Sequence, residues 1–209
     1  TLTNLNDSGS NKLWKGLEVH GNPDVYQSYA DQGRIRIEGV STIANAHLAI
    51  RADNSQDQFA HTGGIVQAFD ARFENNTADV LFMPFRNYRA TAPTIERNNR
   101  SFFTNCQFVT DHAFRGLDNG RAAILFGVNG IPFKGCTFDD TRPEATDQQW
   151  RKDHGRTGIY SLWSAFAVNE LCSGPQSFPP PPTCEGQESV FENMQYGIRA
   201  LGELNPARF

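Results

Sequence analysis

Methionine, cysteine and an excess of charge of either sign are all scarce in this chain. Of 209 residues, two are Met and four are Cys, and 19 Lys and Arg stand against 23 Asp and Glu for a formal net charge of −4. A nucleic-acid binder normally concentrates basic residues on one face. Here Arg34, Arg36, Arg51, Arg72, Arg86 and Arg89 are scattered along the chain and read as solvated strand faces and loop charges, so no nucleic-acid partner is expected. No apolar run approaches the ~20 residues that a membrane-spanning helix needs. Paired Cys-x-x-Cys or His-x-x-x-His elements are missing, so neither a metal nor a cofactor is expected. Phosphate loops, nucleophile elbows and dinucleotide fingerprints are missing too. So is any convincing helical period over about 11 residues. The chain opens on Thr1-Leu2-Thr3-Asn4, with no initiating Met and no leader-like segment, and is expected to be a piece of a larger protein.

The four cysteines are Cys106, Cys136, Cys172 and Cys184. The last two bracket a Pro-rich loop, 172–184, which can form neither a helix nor an interior strand. A Cys172–Cys184 disulfide closing that loop would restrict the unfolded chain by roughly 3 kcal/mol and would imply an oxidising compartment. The alternative is two unpaired thiols beside an irregular loop.

What the chain does have is a repeat. Five segments centre on one large apolar residue: Ile43, Phe73, Phe108, Phe138 and Phe191, spaced by 30, 35, 30 and 53 residues. Two positions before each stands a small residue (Ser41, Ala71, Cys106, Cys136, Ser189). Two positions after stands a short polar one (Asn45, Asn75, Thr110, Asp140, Asn193). Side chains two apart share a strand face, so the small residue and the anchor both point inward. The polar residue then falls where the strand leaves the core, and Asn tolerates unusual dihedrals at such bends. Stacked from coil to coil, the anchors should form an interior column and the polar residues a ladder at one corner. Cys106 and Cys136 should lie in adjacent coils, within reach of a bridge. Because Ser41, Ala71 and Ser189 serve the same position, small size is the requirement, and free buried thiols are favoured.

Further apolar pairs two apart fit the same plan: Leu17 and Val19, Ile35 and Ile37, Leu48 and Ile50, Val80 and Phe82, Tyr196 and Ile198. Short strands, Gly-marked turns and a period near 30 predict an all-β fold, a right-handed parallel β-helix (solenoid), as a single domain over 1–209. Long insertions (53–62, 84–100, 142–156 and 172–184) interrupt the repeat at bends, where binding sites are commonly built.

The segments Trp14-Lys-Gly-Leu-Glu-Val-His-Gly-Asn22, Gly63-Gly64-Ile-Val-Gln-Ala and Phe73-Glu-Asn-Asn-Thr-Ala-Asp-Val-Leu-Phe82 resemble a family of large secreted or surface-attached bacterial proteins. Those proteins carry parallel β-helix regions of the pectin-lyase-like kind and are commonly exported by type IX secretion. The resemblance spans roughly residues 13 to 200. It implies an extracellular or cell-surface location, and its motifs mark architecture rather than chemistry.

Since such folds include polysaccharide lyases and hydrolases, carboxylate pairs need inspection. The candidates are Asp139-Asp140, Asp111-His112 and His154-Gly155-Arg156. Adjacent Asp139 and Asp140 point to opposite sides of a strand, and His154 sits in a polar insertion, where it is expected to be solvated. No catalytic residue is assigned. Tyr88 and Trp150, in polar insertions, are the candidates for stacking on a sugar, while Trp14, Trp163 and Phe166 are expected to be structural. The reading is a non-catalytic extracellular module, structural or adhesive, with glycans or other surface proteins as partners. The alternative is a polysaccharide-active enzyme or carbohydrate-binding module. Neither terminus offers an amphipathic cap, so flanking β-helix coils or another subunit should cover at least one end.

Overall fold

Strand formation follows from residue choice at alternate positions. In Arg34–Ile37, Ile35 and Ile37 turn inward while Arg34 and Arg36 stay in water. The computed structural model describes residues 1–3, 13–57, 60–89, 92–116, 120–172 and 186–202. These residues are all-β apart from the helix Gln148–His154 and the single 3-10 turn Pro143–Thr146.

Sixteen strands make three parallel sheets. The first holds Leu17–Glu18, Leu48–Arg51, Ala78–Phe82, Arg121–Phe126, Thr157–Leu162 and Tyr196–Leu201. The second, in chain order, holds Arg34–Ile37, Ile65–Phe69, Phe102–Thr104, Asn129–Lys134 and Ala165–Asn169. Thr42–Ala44, Arg72–Glu74, Gln107–Thr110, Thr137–Asp140 and Val190–Glu192 form the third. The chain visits first, second and third sheet in strict rotation, and within each sheet a strand pairs only with strands of the neighbouring passes. Two antiparallel hairpins leave this rotation: Tyr88–Arg89 with Ala92–Glu96, and Leu171–Cys172 with Gly186–Gln187. The second joins at Cys172; the predicted Cys172–Cys184 bridge and loop 173–185 lie outside the described residues.

Register places Ile43 opposite Phe73, Phe73 opposite Phe108, Phe108 opposite Phe138 and Phe138 opposite Phe191. The four phenyl rings stack nearly parallel, with centroids 4.9, 4.6 and 4.6 Å apart. That is the strand spacing itself, so backbone pairing and ring stacking reinforce one another. Phe103 and Phe133 repeat the pattern on the second sheet at 5.0 Å. The core thus runs as a continuous file of side chains between the sheets. Cys106 and Cys136, free and wholly buried, occupy the small-residue position in adjacent passes. The Thr137 amide donates to the Cys106 carbonyl there.

The polar residues expected to form one corner ladder split into two groups. Asn45, Asn75 and Asn193 turn the chain in the left-handed region, with φ of 59, 56 and 54°. Thr110 and Asp140 instead continue their strands and are wholly buried. Insertions follow directly after those two positions, so the strand runs on instead of bending. Nor do the Asn side chains bond one another: Asn45 reaches Thr3, Asn75 reaches Asp111 and Asn193 reaches Asp139.

The insertion 142–156, expected as a polar excursion, forms a helix capped by Asp147, which accepts from the Gln149 and Trp150 amides. Seven residues are too few to leave a helical period in the sequence. The insertion returns to the first sheet through Arg156, wholly buried beside Asp79. In the last pass, Val190, Tyr196, Ile198 and Leu201 remain between 37 and 45% exposed, and among the described residues no further strand covers them.

Candidate functional site

A groove of about 710 Å³ lies where the chain bends from the first sheet into the second, and the hairpin of insertion 84–100 contributes Pro84, Arg86 and Glu96 to its wall. Its floor comes from two equivalent bends. Phe126 is the register partner of Leu162, so Gly127 and Trp163 stand at the same place in successive passes. Both are left-handed, with φ of 59 and 53°. Both amides donate to the next pass, Gly127 to the Leu162 carbonyl and Trp163 to the Leu201 carbonyl.

The two positions differ in what surrounds them. A Cβ on Gly127 would come within 3.0 Å of the Pro84 side chain, so the approach of the insertion and the left-handed turn together favour glycine. At Trp163 the same left-handed turn carries a full side chain. A bulky residue at positive φ still costs about 1–2 kcal/mol. The indole is 46% exposed, leans on Phe126 with centroids 5.2 Å apart, and lines the groove.

Facing it, Arg86 and Glu96 pair at 2.9 Å across the base of the hairpin. Tyr88 stands beside the Arg86 guanidinium, outside the residues that line the groove, and is 36% exposed. Glu96 and Tyr88 both hold Arg86 above its ordinary pKa, Glu96 the more strongly, so the guanidinium is a fixed cation. An aromatic shelf opposite an oriented donor–acceptor pair can hold a ring with one apolar face and a polar edge.

Neither aromatic singled out from the sequence lines this groove: Tyr88 lies on the insertion beside Arg86, and Trp150 lies on the helix Gln148–His154. The Trp150 ring packs on His154 at 5.4 Å and under the Arg142 guanidinium at 4.7 Å. Trp163, expected to be structural, is the exposed aromatic of the groove. Its signal was present in the repeat, since aligning Phe126-Gly127 with Leu162-Trp163 puts tryptophan where the preceding pass has glycine. Trp14 donates its indole N–H to the Ala44 carbonyl, and Phe166 packs against the core.

The carboxylates weighed for catalysis are engaged elsewhere. Asp139 accepts from the Asn193 amide, and Asp140 is buried under a two-point Arg142 contact at 2.7 and 2.8 Å. Asp111 accepts from the Asn75 side chain and the Ala113 amide. His154 is exposed and Arg156 is buried away from it. Burial pushes Asp79 up to about 6, against the opposing pull of Arg156. Among the described residues, no cluster of His, Cys, Asp or Glu is placed to hold a metal ion, and no helix is long and apolar enough to cross a membrane.

Comparison with protein-family models, with curated proteins and with solved structures finds no match to this chain.

Proposed function

We propose that the three parallel sheets are the walls of a right-handed parallel β-helix, and that this β-helix is a non-catalytic adhesive module that holds a glycan in the Trp163 groove. The strict rotation among the sheets and the single file of interior phenyl rings support the solenoid reading. One observation carries the binding reading: an exposed indole is kept in a strained backbone position that the preceding pass fills with glycine. Strain of this kind persists where an exposed side chain is needed.

A binding rather than a catalytic role is supported by the groove lining. Among the described residues there, the carboxylate is Glu96, already paired with Arg86. Two unengaged carboxyl groups across a sugar are what glycoside hydrolysis requires. An extracellular, surface-attached location, of the kind served by type IX secretion, rests on the sequence resemblance and on the proposed Cys172–Cys184 bridge. The exposed apolar residues of the last pass fit further β-helix coils or another subunit at that end.

Affinity electrophoresis and array binding over a broad set of glycans test the reading. The chain should be retained by at least one glycan, and Trp163→Ala should weaken retention about tenfold or more, the loss of one stacked aromatic contact. No reducing ends or unsaturated products should appear. Failure to bind any glycan, or unchanged binding by Trp163→Ala, would sink the proposal.

A further inference from the structure

A second cavity, of about 500 Å³, lies on the other side of the hairpin insertion, bordered by Tyr26, Glu96, Arg97, Asn98 and Arg100. Glu96 lines this cavity and the Trp163 groove alike, so the two adjoin. Beyond it the Arg100 guanidinium lies 4.7 Å from the centre of the Tyr29 ring, and the Arg34 guanidinium lies 4.6 Å from the same centre.

This cluster is built from beneath. Gln27 and Gln67 are buried; the Gln27 side-chain Oε1 accepts from the Arg100 backbone N–H at 2.7 Å. The Gln67 amide donates to the Tyr29 hydroxyl at 3.1 Å and to the Arg100 carbonyl at 3.2 Å. The phenol therefore accepts from below and keeps its own proton to donate outward, from a residue that is 52% exposed. The Gln67 bond, then the two guanidiniums, hold this phenol below its usual pKa.

The charge here is uncompensated. Arg36, Arg51, Arg72, Arg86 and Arg142 each pair with a carboxylate. Among the described residues, no carboxylate pairs with Arg34, Arg97 or Arg100. Asp31, close to Tyr29 in the chain, accepts from the Ser28 hydroxyl. Two guanidinium forks and one phenolic donor facing water match the oxygens of an anionic group. The net charge of −4 works against indiscriminate capture of polyanions, so recognition falls to this local cluster.

Position links it to the groove. Arg34 opens the strand at one edge of the second sheet and Ala165, which lines the groove, opens the strand at the other. Four strand steps of about 4.8 Å separate those edges by about 19 Å, the reach of a short oligosaccharide. We propose that Arg34, Arg100 and Tyr29 bind an anionic substituent, a carboxylate or a sulfate ester, on a glycan whose neutral rings lie against Trp163. The proposal rests on the groove reading above and adds the chemical class of the ligand.

The test is an array of neutral, uronate-bearing and sulfated oligosaccharides probed with the whole chain, with Trp163→Ala and with the double variant Arg34→Gln, Arg100→Gln. Both bonds that anchor Arg100 from below use its backbone, so the double variant keeps the fold, and circular dichroism checks this. Anionic glycans should bind best, more weakly as salt rises, and the double variant should lose about tenfold or more of that affinity. Preference for uronates or for sulfates identifies which substituent is read. Equal binding of neutral and anionic glycans, unaffected by the double variant, would overturn this inference and leave the groove standing. Loss in the double variant but not in Trp163→Ala would keep the anion cluster and overturn the groove. Absence of binding across the array would overturn both.

Discussion

Asp79 and Arg156, 77 positions apart in sequence, meet at 3.3 Å with both side chains wholly buried. Asn76 donates to the Asp79 carboxylate at 2.9 Å, and Arg156 also donates to the Thr110 hydroxyl. The pair ties insertion 142–156 to the first and third sheets, with the Arg156 Nε left without a partner.

Removing one member should therefore cost far more than removing both. Asp79→Ala at pH 7.5 is expected to lose about 3–5 kcal/mol in urea unfolding, because a buried guanidinium is left alone. The double change Asp79→Leu, Arg156→Met should recover most of that loss. A double variant as unstable as the single one would show that the pair stabilises by more than mutual neutralisation.

The same carboxyl sets a pH dependence. Its folded pKa, about 6, lies above the ordinary 3.8, so the folded state holds a proton that the unfolded chain gives up. The stabilisation is complete below pH 4 and is lost as pH rises through 6, a fall of about 3 kcal/mol. Glu18, held near 2 chiefly by its hydrogen bonds from Ser55 and His20, acts in a separate window and loses its contribution only as pH falls below about 4.5. Unfolding free energies from pH 4 to 7 should decline for the native chain and stay level in that range for Asp79→Asn; parallel curves would refute the assignment.

Along the phenylalanine file, cost should depend on position. Phe108 is stacked on both sides and wholly buried, so Phe108→Ala should lose about 3–5 kcal/mol. Phe191 has one stacking partner and is half-buried, so Phe191→Ala should lose less than half as much. Equal losses in thermal or urea unfolding would contradict this gradient.

Trp163→Gly separates strain from recognition. Glycine at φ 53° removes the left-handed penalty, so stability should be unchanged or rise by up to about 1 kcal/mol while glycan retention falls. A clear loss of stability would mean that the indole serves the fold.

The frame was legible because it is periodic. A large apolar anchor recurring at 30 or 35 residues through Ile43, Phe73, Phe108 and Phe138, with a small residue two before it, can be read from one chain, since strand geometry translates spacing directly into facing. The sites where the frame is decorated were not legible in the same way. Asp79 and Arg156 belong to different passes and share no spacing rule, and the Gln148–His154 helix is shorter than two helical periods. Trp163 reads as structural because it follows an apolar strand, and its exposure at a left-handed bend shows only in the fold. Polar surroundings alone did not place Tyr88 or Trp150 in the groove: Tyr88 stands beside Arg86, and Trp150 packs against Arg142 and His154.

Thirty residues separate Phe108 from Phe138 and 53 separate Phe138 from Phe191, yet both ring pairs stack at 4.6 Å. The scaffold is blind to the length of what is spliced between its rungs. Surface segments on such a frame can be lengthened, exchanged or rewritten one at a time while neighbouring rungs keep their register. A lineage carrying it can vary what it touches much faster than how it folds.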